Sequence, residues 1–347
     1  MFTTTRFDAW NLPQALQNGL DAMGWEFATQ VQRDTVPLAR QGTDVIGQAR
    51  TGSGKTAAFG LPILERCQPT GALQALVLAP TRELANQVAE EFLLLQGDAG
   101  LSIQTVYGGT DLEKQAKSLA KGVDVIVGTP GRVMDMSERG HIDLASPQLL
   151  CLDEADRMLD MGFIPDVEKI DSLLPRMRQT LFFSATLSDD IQKIGSKFVM
   201  NPKIIEVAPP ASTAETVAQH LIWTDSKSKR RVLRDLLADE QVKNAVIFCN
   251  RKRDIATLIN SLKRHEFLAV ALHGDMTQSA RLDALQKFKD GDVPLLIASD
   301  VAARGLDIAG LSHVFNFDVP VSAEDYVHRI GRTGRAGKSG RAFTIAV

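Results

Sequence analysis

Ala49-Arg50-Thr51-Gly52-Ser53-Gly54-Lys55-Thr56 follows the apolar run Asp44-Val45-Ile46 and leads into a stretch of helical period beginning at Ala57. A strand, a glycine-rich turn and a helix in that order predict a P-loop, with Ala49 standing where the first glycine of the pattern falls. Small residues let backbone N–H groups close around phosphate oxygens at a helix N-terminus, where the helix dipole also favours negative charge. Lys55 is expected to reach the β- and γ-phosphates, and the Thr56 hydroxyl to hold Mg²⁺.

About a hundred residues further on, the apolar run Leu149-Leu150-Cys151-Leu152 passes directly into Asp153-Glu154-Ala155-Asp156. An acid at the C-terminal end of a buried strand is positioned to hold the metal through water, which assigns Asp153 to Mg²⁺. Glu154 beside it is placed to orient and deprotonate an attacking water. Together the two stretches point to Mg²⁺-dependent nucleoside triphosphate hydrolysis.

Outward from this pair, short Val-, Ile- and Leu-rich runs alternate with helical-period stretches along the whole chain. Before residue 208 they include Ala75-Leu76-Val77-Leu78, Val125-Ile126-Val127 and Thr180-Leu181-Phe182-Phe183. After residue 216 they are Ala245-Val246-Ile247-Phe248, Leu268-Ala269-Val270, Leu295-Leu296-Ile297-Ala298 and Val314-Phe315-Asn316-Phe317. Runs apolar on both faces suit the buried strands of parallel sheets covered by helices. The pattern breaks at Ala208-Pro209-Pro210-Ala211-Ser212-Thr213, a linker composition. The fold class is therefore α/β in two tandem domains, residues 1–207 and 217–347, joined by a linker over 208–216.

Charge divides unevenly across that break. Residues 217–347 hold 20 basic and 15 acidic side chains, net +5, and the first 216 hold 19 and 27, net −8. A basic domain beside an acidic one is compatible with a phosphate-bearing ligand, although the whole chain is net −3. The three cysteines, Cys67, Cys151 and Cys249, have no C-x-x-C spacing and read as buried thiols rather than a disulfide framework or zinc site. No apolar run approaches the ~18 residues of a membrane span. Met1-Phe2-Thr3-Thr4-Thr5-Arg6 lacks the apolar core of a signal peptide, so a cytoplasmic protein with no membrane association is expected.

With these residues in place, the sequence resembles the DEAD-box family of RNA helicases, a branch of helicase superfamily 2. The resemblance covers nearly the whole chain in the family's motif order. It rests on Asp153-Glu154-Ala155-Asp156 itself, Pro80-Thr81-Arg82-Glu83-Leu84, Gly108-Gly109, Thr129-Pro130-Gly131-Arg132 and Ser184-Ala185-Thr186. In the second domain it rests on Val246-Ile247-Phe248, Gln278 with Arg281, Ser299-Asp300 through Arg304-Gly305-Leu306-Asp307, and His328-Arg329-Ile330-Gly331-Arg332-Thr333-Gly334-Arg335. It implies two RecA-like domains, each a mostly parallel sheet flanked by helices, with one ATP site in the cleft between them.

The resemblance also distributes roles. Gly24-Trp25-Glu26-Phe27-Ala28-Thr29-Gln30-Val31-Gln32 looks like the family's adenine-reading Q motif, with Gln32 pairing with the base and Phe7 and Trp25 as rings for adenine packing. Ala28 replaces the family's usual proline. ATP is thus expected to contact Phe7, Trp25, Gln32, the loop from Ala49 through Arg50, Thr51, Gly52, Ser53 and Gly54 to Lys55 and Thr56, and Asp307 near the ribose. Arg332 and Arg335 resemble arginine fingers, three apart and on one face if helical, with His328 linking them to the other motifs. Pro80, Arg82, Gly109, Thr129 and Arg132 in the first domain, with Arg251, Gly274 and Ser299 in the second, resemble the family's RNA contacts. Ser184, Thr186, Asp156, Gln278 and Arg281 are expected to couple hydrolysis to strand separation.

Backbone amides, hydroxyls and arginines suit phosphate and 2′-OH contacts, so RNA binding is expected to have little sequence preference and a marked salt dependence. The implied activity is an RNA-dependent ATPase that closes two domains on single-stranded or short duplex RNA and unwinds it locally, acting as a monomeric core. An ATP-gated RNA clamp with little unwinding and a superfamily 2 DNA translocase are the alternatives. RNA-versus-DNA stimulation and a duplex-displacement assay separate the three.

Overall fold

The computed structural model describes residues 2–49, 52–207, 217–300, 310–321, 323–334 and 339–347, with Gln278 and Glu324 described in backbone only. Two compact units divide at Pro210 and Ala211. The expected linker, residues 208–216, lies outside the described residues.

The first unit is built on a seven-stranded parallel sheet, ordered Ile103–Val106 (β5), Val125–Gly128 (β6), Ala75–Leu78 (β4), Leu149–Leu152 (β7), Gln179–Ser184 (β8), Val45–Gln48 (β3) and Lys203–Glu206 (β9). Its central strands are buried on both faces because alternate side chains feed two cores. Ala75, Val77, Cys151, Leu181 and Phe183 join one cluster, while Leu76, Leu78, Leu150, Leu152 and Phe182 join the other. This period of two is why the strands appear in sequence as continuous apolar runs.

Helices cover both faces, several with a legible start. In Gln30–Arg40 (α2), the Gln32 side chain reaches back to cap the start of the helix, its Oε1 accepting from Thr29 N at 2.8 Å. In Arg82–Leu95 (α4) the Thr81 hydroxyl accepts from Leu84 N. Helix α3, Lys55–Arg66, begins from Gly54 in the left-handed region, φ 91°. Ahead of them, Phe2–Arg6 (β1) and Phe27–Thr29 (β2) form a small antiparallel pair not visible as apolar runs.

The second unit repeats the plan with six parallel strands. They are ordered Val217–Trp223 (β10), Gly340–Ala346 (β15), His313–Asn316 (β14), Ala245–Phe248 (β11), Leu295–Ala298 (β13) and Ala269–Leu272 (β12). Again alternate residues separate, Val246, Phe248, Leu296 and Val314 to one face and Ala245, Ile247, Leu295 and Phe315 to the other. The run at 268–270 was displaced at one end, since Leu268 is exposed and the strand continues to Leu272. All three cysteines are buried thiols. Burial raises each of them, Cys67 to about 12.

No helix among the described residues is long and apolar enough to cross a membrane. Each unit is a helix-flanked parallel sheet, as the run pattern predicts, and together they form the tandem RecA-like architecture that the family resemblance implies.

Candidate active site

In the first unit the C-terminal ends of β3, β7 and β8 converge. Strand β3 runs on through Ala49, whose N–H donates to Ser184 O at 3.0 Å, and the chain then turns into α3. Arg50 and Thr51 lie outside the described residues. Gly54 is required twice over: its φ of +91° favours glycine, and a Cβ there would come within 2.5 Å of Gln32 Nε2.

That contact connects two motifs. Gln32 Nε2 donates to Gly54 O at 3.1 Å, and its Oε1 accepts from Thr29 N at 2.8 Å. The amide therefore caps α2 and grips the phosphate loop with the same side chain. Ala28, where the family has proline, sits in β2 with its carbonyl accepting from Thr3 Oγ1 at 2.8 Å, so strand pairing supplies order to the segment. Phe7 is 1% exposed and packs edge-on against Trp10, with ring centroids 5.3 Å apart. Trp25 is half-buried against the same core.

Asp153 leaves the end of β7 with its N–H on Leu78 O at 2.9 Å, and Lys55 Nζ lies 3.6 Å from its Oδ1. Both side chains are buried. Burial lowers the Lys55 ammonium, but Asp153, Glu154 and Asp156 together hold it above its ordinary value. Burial pushes the Asp153 carboxyl up to about 6 against the pull of Lys55, and Glu154 adds to the rise. One lysine at this distance therefore compensates the carboxylate incompletely.

Ser53 Oγ, Lys55 Nζ and Asp153 Oδ1 are buried polar atoms without a hydrogen-bond partner. They gather at the N-terminus of α3, so the residues fit a polyphosphate and a hard divalent cation. No group of three or more His, Cys, Asp or Glu among the described residues forms a self-sufficient metal cage.

Glu154 takes a left-handed backbone, φ 53°, uncommon for a non-glycine residue, and its carboxylate forms a buried ion pair with Arg157. Asp156 Oδ2 accepts from Ala185 N at 3.1 Å, tying the acidic tetrad to Ser184-Ala185-Thr186. Capping of the next helix, Asp189–Phe198 (α9), is performed by Ser188, leaving Ser184 and Thr186 outside that role.

A second group assembles at the ends of β4, β5 and β6. Gly109 has φ +82°, and a Cβ there would lie 2.0 Å from Arg82 Nη1. Arg132 Nη1 donates to Gln115 Oε1 at 3.0 Å and its Nη2 to Thr110 O at 3.4 Å. Thr129 is the N-terminal cap of Pro130–Glu138 (α6), and Pro80 is buried just before α4. Arg82, Gly109 and Arg132 thus meet around the turn at 109–110 beside two helix N-termini, an arrangement suited to phosphates, while Thr129 is buried at the start of α6.

In the second unit the strand ends are joined through Arg329, which sequence reasoning did not single out. Its guanidinium is buried, bidentate to Asp300 at 2.6 and 2.5 Å, and donates to Asn250 Oδ1 and Asp318 O, each at 2.7 Å. It also lies over the Phe248 ring, 5.1 Å from the centroid. Arg157 was missed too; its signal was the i, i+3 spacing from Glu154.

Arg251 is the exposed N-cap of Lys252–Arg264 (α11), and Ser299 N donates to Leu272 O at 3.4 Å. Gly274 lies close to Lys252. Gln278 opens Gln278–Lys289 (α12), with Arg281 in the same first turn. His328 is half-buried in Ala323–Ile330 (α13). That helix ends at Ile330, so buried Arg332 follows it in a turn and the helical-face argument for the arginine pair does not apply. Asp307 and Arg335 lie outside the described residues.

The family profile described as DEAD/DEAH box helicase matches residues 29–194, and that of the helicase conserved C-terminal domain matches 228–337. The chain is 46% identical to the ATP-dependent RNA helicase CshA of Listeria monocytogenes, covering 98% of this chain and 66% of that protein. It is 45% identical to the DEAD-box ATP-dependent RNA helicase CshA of Bacillus subtilis, covering 98% and 69%. The chain thus spans about two thirds of the length of these curated relatives. Among solved structures, S. cerevisiae Dbp5 bound to RNA and ADP BeF3 matches with TM-score 0.90 and 31% identity, over 98% of this chain and 89% of that one. A DEAD box protein from Methanococcus jannaschii matches with TM-score 0.58 and 38% identity, over 99% and 93%.

Proposed function

The chain belongs to the DEAD-box family of ATP-dependent RNA helicases, and from that premise we propose that it couples ATP hydrolysis to local, non-processive unwinding of RNA. The observation that carries this reading is the buried convergence of Ser53, Lys55 and Asp153 at the N-terminus of α3. Buried polar atoms of both signs, gathered where a helix dipole favours anions, suit a nucleoside triphosphate better than a structural role.

On this reading, backbone amides of Gly52 to Thr56 and the Lys55 ammonium bind the phosphates. Thr56 and Asp153 hold Mg²⁺, which when bound supplies charge compensation on the phosphate oxygens. Glu154 orients the attacking water and takes its proton. Arg332 and Arg335 stabilise charge developing on the γ-phosphate, with His328 positioning their segment and Asp307 near the ribose. Gln32 reads the adenine edge, with Phe7 and Trp25 as the aromatic side of that subsite. The burial of Phe7 favours a supporting role for that ring.

RNA is held by Pro80, Arg82, Gly109, Thr129 and Arg132, and by Arg251, Gly274 and Ser299. Such contacts reach phosphate and sugar, so sequence preference is weak. The hydrogen bond from Ala185 N to Asp156 supports a coupling role for Ser184, Thr186 and Asp156, with Gln278 and Arg281 as their counterparts. ATP and RNA then favour each other's binding, since each selects the same closed state. The chain acts in the cytoplasm, as a monomer.

RNA-stimulated ATPase is the test. Wild-type protein should hydrolyse ATP many-fold faster with single-stranded RNA than without it, and faster than with DNA of the same sequence. Glu154→Gln should retain ATP and RNA binding while losing turnover, whereas Lys55→Ala should lose nucleotide binding as well. Equal rates with and without RNA would overturn the coupling.

A further inference from the structure

Outside the motifs, a basic groove lies in the second unit between Lys229–Asp239 (α10) and α11. It encloses about 440 Å³ and is lined by Lys227, Arg230, Arg231, Arg234, Arg264 and His265. Neutral hydrogen-bonding side chains complete the wall, Asn260 among them, and no carboxylate lines it. A pocket of this size built for an apolar ligand would be lined by aliphatic and aromatic side chains.

The charges are poorly explained by the fold. Helix α10 opens with Lys229, Arg230 and Arg231 and has no acid in its first turn. Cations at a helix N-terminus oppose the macrodipole, so this order disfavours the helix. Lys229 is accounted for, turned inward onto Asp318 at 2.9 Å and over the Phe317 ring. Arg231 faces Asp235 only at 3.8 Å on an exposed surface. No carboxylate of the described residues pairs with Lys227, Arg230 or Arg264, all of which are exposed. Arg234, by contrast, is half-buried and fixed, its Nη1 donating to Ser261 Oγ at 3.1 Å. The groove therefore has an anchored floor and a rim of available cations.

Position adds the second argument. Arg251, assigned above to RNA, caps the start of α11, and Arg264 closes the same helix. Thirteen residues at 1.5 Å rise separate them by about 20 Å along one rigid rod, a length that a few nucleotides span.

We propose that this groove is an accessory RNA-backbone site, taking the phosphates of a strand that extends past the motif contacts. The proposal rests on the RNA-binding reading above. The groove holds RNA whether or not nucleotide is bound, because every wall residue lies in the second unit. It contributes affinity and salt dependence without sequence readout.

The experiment measures binding of the full chain to a short oligouridylate and to one several times longer, across a salt series, with ATPase recorded alongside. The triple variant Lys227→Glu, Arg230→Glu, Arg264→Glu should bind the longer RNA at least tenfold more weakly. The slope of log affinity against log salt should fall by about 2, for three single-strand phosphate contacts at about 0.7 each. Binding of the short RNA and the maximal ATPase rate should be unchanged. Arg230→Lys with Arg264→Lys should retain most of the longer RNA's affinity, since a phosphate contact without base readout needs charge more than geometry.

Wild-type affinity and slope in the triple variant would overturn the site, including the case where only an acidic peptide or inorganic polyphosphate is found to occupy the groove. Equal weakening of short and long RNA would overturn it too, by showing a general charge effect. A wild-type ATPase indifferent to RNA would count against the proposed function instead, and is read in a separate arm.

Discussion

Glu154 shows what the site demands of a single residue. It holds a left-handed backbone and buries its carboxylate against Arg157. Residues in such conformations persist only when their surroundings over-determine them. Arg157→Ala removes one partner of a buried pair and weakens the compensation of the Glu154 carboxylate, at a cost of about 3 kcal/mol in unfolding free energy. Urea denaturation should show that loss, and Arg157→Ala combined with Glu154→Gln should recover part of it. Additive losses in that cycle would mean that the ion pair contributes nothing to the loop. Arg329 presents the same logic at larger scale, because its bidentate grip on Asp300 and its bonds to Asn250 and Asp318 need a planar fork. Arg329→Lys should therefore lower the melting temperature of the second unit although charge is conserved. Neither arginine was legible as a site residue. The sequence displays spacing, which is how Lys55, Asp153 and Glu154 were found. A contact between positions 250 and 329 exists only after the sheet has assembled.

At the level of elements, legibility followed burial. Strands β4, β6, β7, β11 and β13 were readable because both of their faces feed a core. The edge strands β5 and β9 were missed, being only partly buried and carrying polar residues. Strand β10 was missed for the same reason, since most of it is exposed. Yet β10 takes part in an aromatic ladder. His220, Phe343 and Phe315 stack across β10, β15 and β14 at centroid spacings of 4.7 and 5.3 Å, and His313 lies 5.9 Å from the Phe315 ring and 6.1 Å from the Phe343 ring. Burial lowers His313 below its ordinary value, with Glu240 opposing and Arg341 reinforcing the shift. Below pH about 6.5 the unfolded chain therefore binds the proton more readily than the folded one, so stability rises with pH through that window and falls on acidification. His313→Phe keeps the stack and removes the titration. Its urea midpoint should fall less than that of the wild type between pH 7 and pH 5. An identical fall would assign the acid sensitivity to other groups.

For the whole molecule, each unit carries its own two apolar clusters on the two faces of its own sheet. Residues 217–347 should therefore fold alone, with a cooperative urea transition and the circular dichroism of an α/β domain; a non-cooperative transition would show that the second core depends on the first. That fragment, net +5, should also retain salt-sensitive RNA binding on its own. The division into two α/β regions was readable from the alternation of runs and the proline-rich break. The basic groove was not, because Lys227 to Arg234 reads in sequence as an ordinary solvated face until α11 brings Arg264 beside it.

The double use of Gln32 has a consequence for fidelity. One amide caps a helix and holds the Gly54 carbonyl, and in the function proposed above it also reads the base, so on that proposal recognition and the shape of the phosphate loop are not independently adjustable. A nucleotide carrying the wrong base would be penalised through misalignment of its phosphates, after it had already bound. Discrimination between ATP and GTP would then be registered in kcat more than in KM, and an excess of the wrong nucleotide would occupy the enzyme without driving it.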